Sequence, residues 1–124
     1  MPAPAGEIRS YRDLIVWQRG MDLIVLSYKI AKRLPRIEMY GLASQIRRAA
    51  VSVPANIAEG HGRHHRGEYV HHLSFANGSL MELETELIAA MRLDYVAEPE
   101  IQPALAAAAE VGRMLASLIR KLRP

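Results

Sequence analysis

Between Tyr69 and Ala90, the residues Tyr69, Leu73, Ala76, Leu80, Leu83, Leu87 and Ala90 recur at alternating steps of four and three. On an α-helix that spacing makes a single stripe, with the period of left-handed helix packing. A strand, whose side chains alternate with a period of two, cannot present it. The segment therefore needs other helices to lie against. Cysteine is absent and there is one Phe and one Trp, so any core is built from Leu, Ile, Val, Ala and Met. With 124 residues the chain is long enough for one domain with a core of its own.

Three further segments qualify as the partners. Ser10 or Asp13 can cap a first helix carrying Leu14, Trp17, Met21, Ile24, Tyr28 and Ala31, which ends near Leu34 because Pro35 disfavours helical geometry in the residue before it. Ile15, Leu23, Leu26 and Ile30 lie off that stripe, and so wide an apolar face suggests burial against another subunit. A second helix should start near Glu38 and carry Leu42, Ile46, Ala49, Ala50, Val53 and Ile57. It is expected to kink at Pro54 and end at Gly60 and Gly62. In the third helix, Ala76, Gly78 and Ser79 would allow close approach of a neighbour. Pro99 suits the first turn of a fourth helix, with Ile101, Leu105, Ala108, Gly112, Leu115, Ile119 and Leu122 at steps of four and three. The expected fold is all-α: an antiparallel up-down-up-down four-helix bundle over residues 13–124, preceded by an irregular lead-in over 1–12, disordered at its start.

Charge is unevenly placed along the chain. Lys29, Lys32, Arg33, Arg36, Arg47 and Arg48 are opposed by Glu38 alone, and Arg113, Arg120, Lys121 and Arg123 by no acid. Six acids between Glu82 and Glu100 meet one base, Arg92. Such polarity suits phosphate contacts on a basic face, and it suits equally the pairing of basic and acidic surfaces between copies. Arg47 and Arg48 fit either reading, as a phosphate footprint or as ion-pair partners of the acidic third helix. Glu82 and Glu86, at i and i+4, read as a solvated acidic face.

All five histidines fall between His61 and His72, together with Arg63 and Arg66. If the chain is helical from about His64, then His65, Glu68 and His72 share a face and form a weak metal candidate. The segment otherwise reads as a solvated helix start, or as a basic turn that contacts phosphates and gains charge in mildly acidic medium. Other chemistry is missing. No GxGxxG or GK[ST] follows a strand and no serine lies in a GxSxG setting, and a di-iron bundle needs an ExxH on each of two helices, whereas Glu68-Tyr-Val-His71 is the single match. The N-terminus has no signal-peptide pattern, and no apolar run approaches the roughly 18–20 residues of a membrane span. These features predict a cytoplasmic, non-enzymatic protein without cofactor.

The segments Asp13-Leu-Ile-Val-Trp-Gln18, Tyr40-Gly-Leu-Ala-Ser-Gln-Ile-Arg-Arg-Ala-Ala50, Val51-Ser-Val-Pro-Ala-Asn-Ile-Ala-Glu-Gly60 and Gly78-Ser-Leu-Met-Glu-Leu-Glu84 resemble the 23S rRNA intervening-sequence (S23-type) protein family. The resemblance spans about residues 10–96, and Ser52, Asn56, Ile57, Ala58, Glu59 and Gly60 are its most specific part. It implies a four-helix bundle assembling as a ring-like homopentamer, with no established enzymatic activity. Some relatives are encoded inside large-subunit rRNA genes. The related accessory variability proteins of diversity-generating retroelements form basic pentamers that partner a reverse transcriptase and nucleic acid. Arg47, Arg48, Asn56, Glu59 and Arg63 match the family motif. Asn56 and Glu59 can also be read as satisfying backbone groups freed by Pro54. The histidines after Gly62 depart from the family pattern, which leaves a role for them without support. The sequence thus predicts a self-associating protein that binds RNA or DNA. The candidate contacts are Lys29, Lys32, Arg33, Arg36, Arg47, Arg48, Arg63 and Arg66. The alternative is a protein-interaction scaffold whose charges serve assembly and a protein partner.

Overall fold

The computed structural model describes residues 7–123, and the start of the lead-in lies outside them. Four long helices carry the fold: α1 (Ile15–Ala31), α2 (Leu42–His61), α3 (Arg66–Arg92) and α4 (Glu98–Leu122). The described residues contain no strand. The helices pack in closed order, α1 on α2, α2 on α3, α3 on α4 and α4 on α1, around one aliphatic core.

The α3 seam forms as expected. Leu73, Ala76, Leu80, Leu83, Leu87 and Ala90 are fully buried, and Tyr69 packs at the edge of the core. On α4 the expected stripe is shifted: Ile101, Ala104, Ala108, Val111 and Leu115 are buried, while Leu105, Ile119 and Leu122 are only partly covered.

The α1 stripe is also different from the expected one. Val16, Gly20, Leu23, Ser27, Ile30 and Leu34 face the core at steps of four and three, whereas Met21 and Tyr28 are exposed. The expectation followed the apolar residues Met21 and Tyr28 and so passed over Gly20 and Ser27. Gly20 is small for a reason: a Cβ there would stand 3.2 Å from the Cβ of Pro54. Pro54 therefore faces α1, and α2 runs on through it as one helix.

Helix ends account for the other departures. Ser10 caps a 3₁₀ turn, Tyr11–Asp13, with Asp13 completing the reciprocal box, so the capping residue lies one short turn ahead of α1. Helix α1 stops at Ala31, and bonds from Arg33 N–H to the Ile30 carbonyl and from Leu34 N–H to the Ala31 carbonyl tighten the chain before Pro35. Glu38 does not start α2 but caps it. After a 3₁₀ turn at Arg36–Glu38, its Oε1 accepts from Leu42 N–H at 3.0 Å and its Oε2 from the Tyr95 hydroxyl at 2.8 Å. Both bonds favour the charged form, the one from the backbone most, and hold the Glu38 carboxyl below the usual range.

Gly60 does not terminate α2. It lies inside the helix, which Gly62 caps, and packs against α3, where a Cβ would meet the Cβ of His72 at 2.8 Å. Conversely, Gly78 faces open space and plays no part in close packing. At the end of α3, Asp94 takes a left-handed conformation (φ 62°) in a Schellman arrangement, with Tyr95 N–H bonded to the Ala90 carbonyl and Asp94 N–H to that of Met91.

Candidate nucleic-acid interface

The eight basic candidates do not converge on one surface. Arg33 lies 2.7 Å from Glu100 Oε2, an ion pair joining the end of α1 to the start of α4. Arg63 pairs with Glu59 at 2.7 Å and comes within 4.0 Å of Glu68. Arg36, on the 3₁₀ turn, and Arg66, at the start of α3, are exposed.

Arg47 and Arg48 point apart, as neighbours on a helix must. Arg48 lines the α2–α3 groove with Gln45, Ala49, Ser52, Ser79, Glu82 and Glu86. Arg47 turns towards α1, donates from Nη2 to the Met39 carbonyl at 3.2 Å, and lines a groove with Ile24, Val25, Tyr28, Lys29 and Lys32. The two arginines therefore face different surfaces, Arg48 the groove with Glu82 and Glu86 and Arg47 the groove with Lys29 and Lys32. The α1–α2 groove joins three cations to an apolar floor and no carboxylate lines it. The α2–α3 groove and the two around Arg63 each contain at least one glutamate.

The α2–α3 seam holds the motif residues. Ser52 Oγ and Ser79 Oγ share a hydrogen bond of 2.8 Å, and Asn56 Nδ2 donates to the Ser52 carbonyl and to Ser52 Oγ. Asn56 Oδ1 lies 3.3 Å from His72 Nδ1, and Glu59 Oε1 lies 4.0 Å from His72 Nε2. These contacts join α2 to α3 through side chains. They do not go to the Ala50 carbonyl, the group that Pro54 frees, so that part of the expectation is corrected. Ser52, Asn56 and Gly60 act here as the fit between two helices, and Glu59 serves mainly Arg63.

Glu86 is the residue that charge counting misjudged. It is buried, 7% exposed, with Oε1 lacking any hydrogen-bond partner. Loss of water, and secondarily Glu82, push its carboxyl up to about 7. The signal was in the register: Glu86 sits three residues after Leu83 and four before Ala90, on the flank of the seam itself.

The histidine segment does not gather. Helix α3 begins at Arg66, and His65 is its extended N-cap (φ −107°, ψ 134°), so the helical spacing from His65 to Glu68 and His72 does not exist. Among the described residues no three His, Asp or Glu side chains are placed to hold a metal ion. His64 and His65 are exposed, His61 stands edge-on to Tyr69, and His71 edge-on to Phe75.

Four helices closed around an aliphatic core define a small all-helical protein. No described helix is long and apolar enough to cross a membrane. The chain belongs to the 23S rRNA-intervening sequence protein family, whose pattern matches residues 12–117. A crystal structure of a protein of unknown function from the S23 ribosomal protein family, from Bacteroides thetaiotaomicron, superimposes with a TM-score of 0.79. It is 23% identical, over 85% of this chain and 98% of that one, a likeness that speaks for the fold. No curated protein matches the sequence.

Proposed function

We propose that the protein is a non-enzymatic, cytoplasmic, antiparallel helical bundle that self-associates, as a homopentamer, and binds RNA or other nucleic acid through its basic α1–α2 face. One observation carries the nucleic-acid reading: Lys29, Lys32 and Arg47 line a single groove that contains no carboxylate. Cations so placed lose little to internal pairing and are free to replace counterions on a phosphate backbone. The family's name, which refers to an insertion in 23S rRNA, agrees with this reading. Self-association is supported by apolar residues left exposed away from that groove, Ile15 at the start of α1 and Phe75, Met81 and Ile88 on α3, beyond what the bundle core uses.

The test is binding of a structured rRNA fragment at about 50 and 200 mM salt, followed by fluorescence anisotropy. With three phosphate contacts per subunit, and several subunits engaged, affinity falls steeply between the two conditions. Replacing Lys29 and Lys32 by Ala weakens binding and flattens that dependence. Absence of binding at the lower salt would overturn the nucleic-acid reading and leave the protein-interaction scaffold.

A further inference from the structure

The α1–α2 groove combines two chemistries that a nucleic-acid duplex does not offer together. Its cations, Lys29, Lys32 and Arg47, suit phosphate, but its floor is Ile24, Val25 and the ring of Tyr28. Val25 and Tyr28 remain 56% and 42% exposed beside those charges. A duplex presents phosphates outward and keeps its base faces stacked within, so such a floor would gain nothing from it. A ligand that carries an anion next to a flat, uncovered apolar ring satisfies both parts. The opening of about 570 Å³ accommodates a unit of that size.

We infer that the groove binds single-stranded nucleic acid, with an unstacked base on Tyr28 and the adjoining phosphates on Lys29, Lys32 and Arg47. The inference rests on the nucleic-acid reading above and narrows it. Stacking on an aromatic ring is tolerant of base identity, so the groove selects for strandedness and not for sequence. The phosphate contacts give the salt dependence, and the ring gives a component that salt does not screen.

Two labelled 12-nucleotide ligands, a single strand of mixed sequence and the same strand in a duplex, are titrated against wild-type protein and against Tyr28→Ala, Tyr28→Phe and the double variant Lys29→Ala/Lys32→Ala. Helicity and particle mass are checked in parallel. Single strands bind at least about tenfold more tightly than duplex. Tyr28→Ala weakens single-strand binding about 5- to 100-fold with the salt slope unchanged, and Tyr28→Phe retains it. The lysine variant flattens the slope for both ligands. Equal affinity for the two ligands with Tyr28→Ala unchanged would overturn this inference while the nucleic-acid reading stands. Binding to neither ligand would remove both. A loss in Tyr28→Ala that accompanies a change in particle mass would make Tyr28 an assembly residue and overturn the stacking role.

Discussion

Replacing Glu86 by Gln tests how dry the α2–α3 seam is. In the native protein the carboxyl keeps its proton up to about pH 7, against an ordinary 4.5, because burial strips water from the charge and Glu82 stands one turn away. The folded state thus binds this proton more tightly than the unfolded chain. The resulting stability is fully present below the ordinary value and is lost as pH rises through about 7. At about 1.36 kcal/mol for each pH unit of separation, the difference has an upper limit of about 3 kcal/mol, most of which disappears between about pH 5 and pH 8. Glu86 also borders the α2–α3 groove, where solvent screens part of the charge, so about 1–3 kcal/mol is expected. Glu86→Gln keeps the shape and removes the titration. Urea unfolding of both proteins at the two pH values, at one fixed protein concentration, gives the comparison. The variant should gain about 1–3 kcal/mol over wild type on going from pH 5 to pH 8. Parallel stability curves would refute the reasoning, since they would mean that Glu86 is hydrated or paired in solution. An offset of equal size at both pH values would reflect only how the amide packs.

Three further outcomes follow from the packing. Gly78→Ala, in open space on α3, should stabilise by about 0.5–1 kcal/mol, whereas Gly60→Ala should lower the melting temperature because its Cβ would press on His72 and Tyr69. Thermal melts of the pair separate helix propensity from helix contact. Leu83→Ala, at a fully buried seam position, should cost about 2–5 kcal/mol in denaturant unfolding. Glu38→Ala should destabilise at neutral pH, and its difference from wild type should shrink on acidification. The depressed native value means that the contribution of Glu38 is present above about pH 4.5 and is lost as pH falls through the folded pKa. Unfolding curves at neutral and acid pH measure that convergence.

The elements differ in how fully their sequences announce them. The α3 seam was legible because all seven of its members are apolar or aromatic and keep strict heptad spacing. On α1 the buried stripe includes Gly20 and Ser27, so the larger Met21 and Tyr28 drew the pattern to the wrong face. Gly20 becomes intelligible only when Pro54, 34 positions further along, is seen against it. The start of α2 was misjudged because Glu38 reaches forward to Leu42 as a cap and across to Tyr95, and the second contact has no local signature. At the candidate interface, composition identified the cations but not their partners. Arg33 and Arg63 are drawn into ion pairs with Glu100 and Glu59, while Lys29, Lys32 and Arg47 remain together. The first of those pairings is a long-range contact that a single sequence does not encode visibly.

The bonds from Tyr95 to Glu38 and from Arg33 to Glu100 tie the α1–α2 connector to the α3–α4 connector and to the first turn of α4, at the same end of the molecule as Lys29 and Lys32. The backbone beside the basic groove is thereby fixed before any ligand arrives. The polyanion of the proposed reading would have chiefly lysine side chains to immobilise there, at about 0.5–1.5 kcal/mol each, and little main chain. On the proposed nucleic-acid reading, affinity at this end is therefore governed by preorganisation. Cutting the Tyr95 tie would raise the entropic cost of association without removing a single atom that the ligand touches.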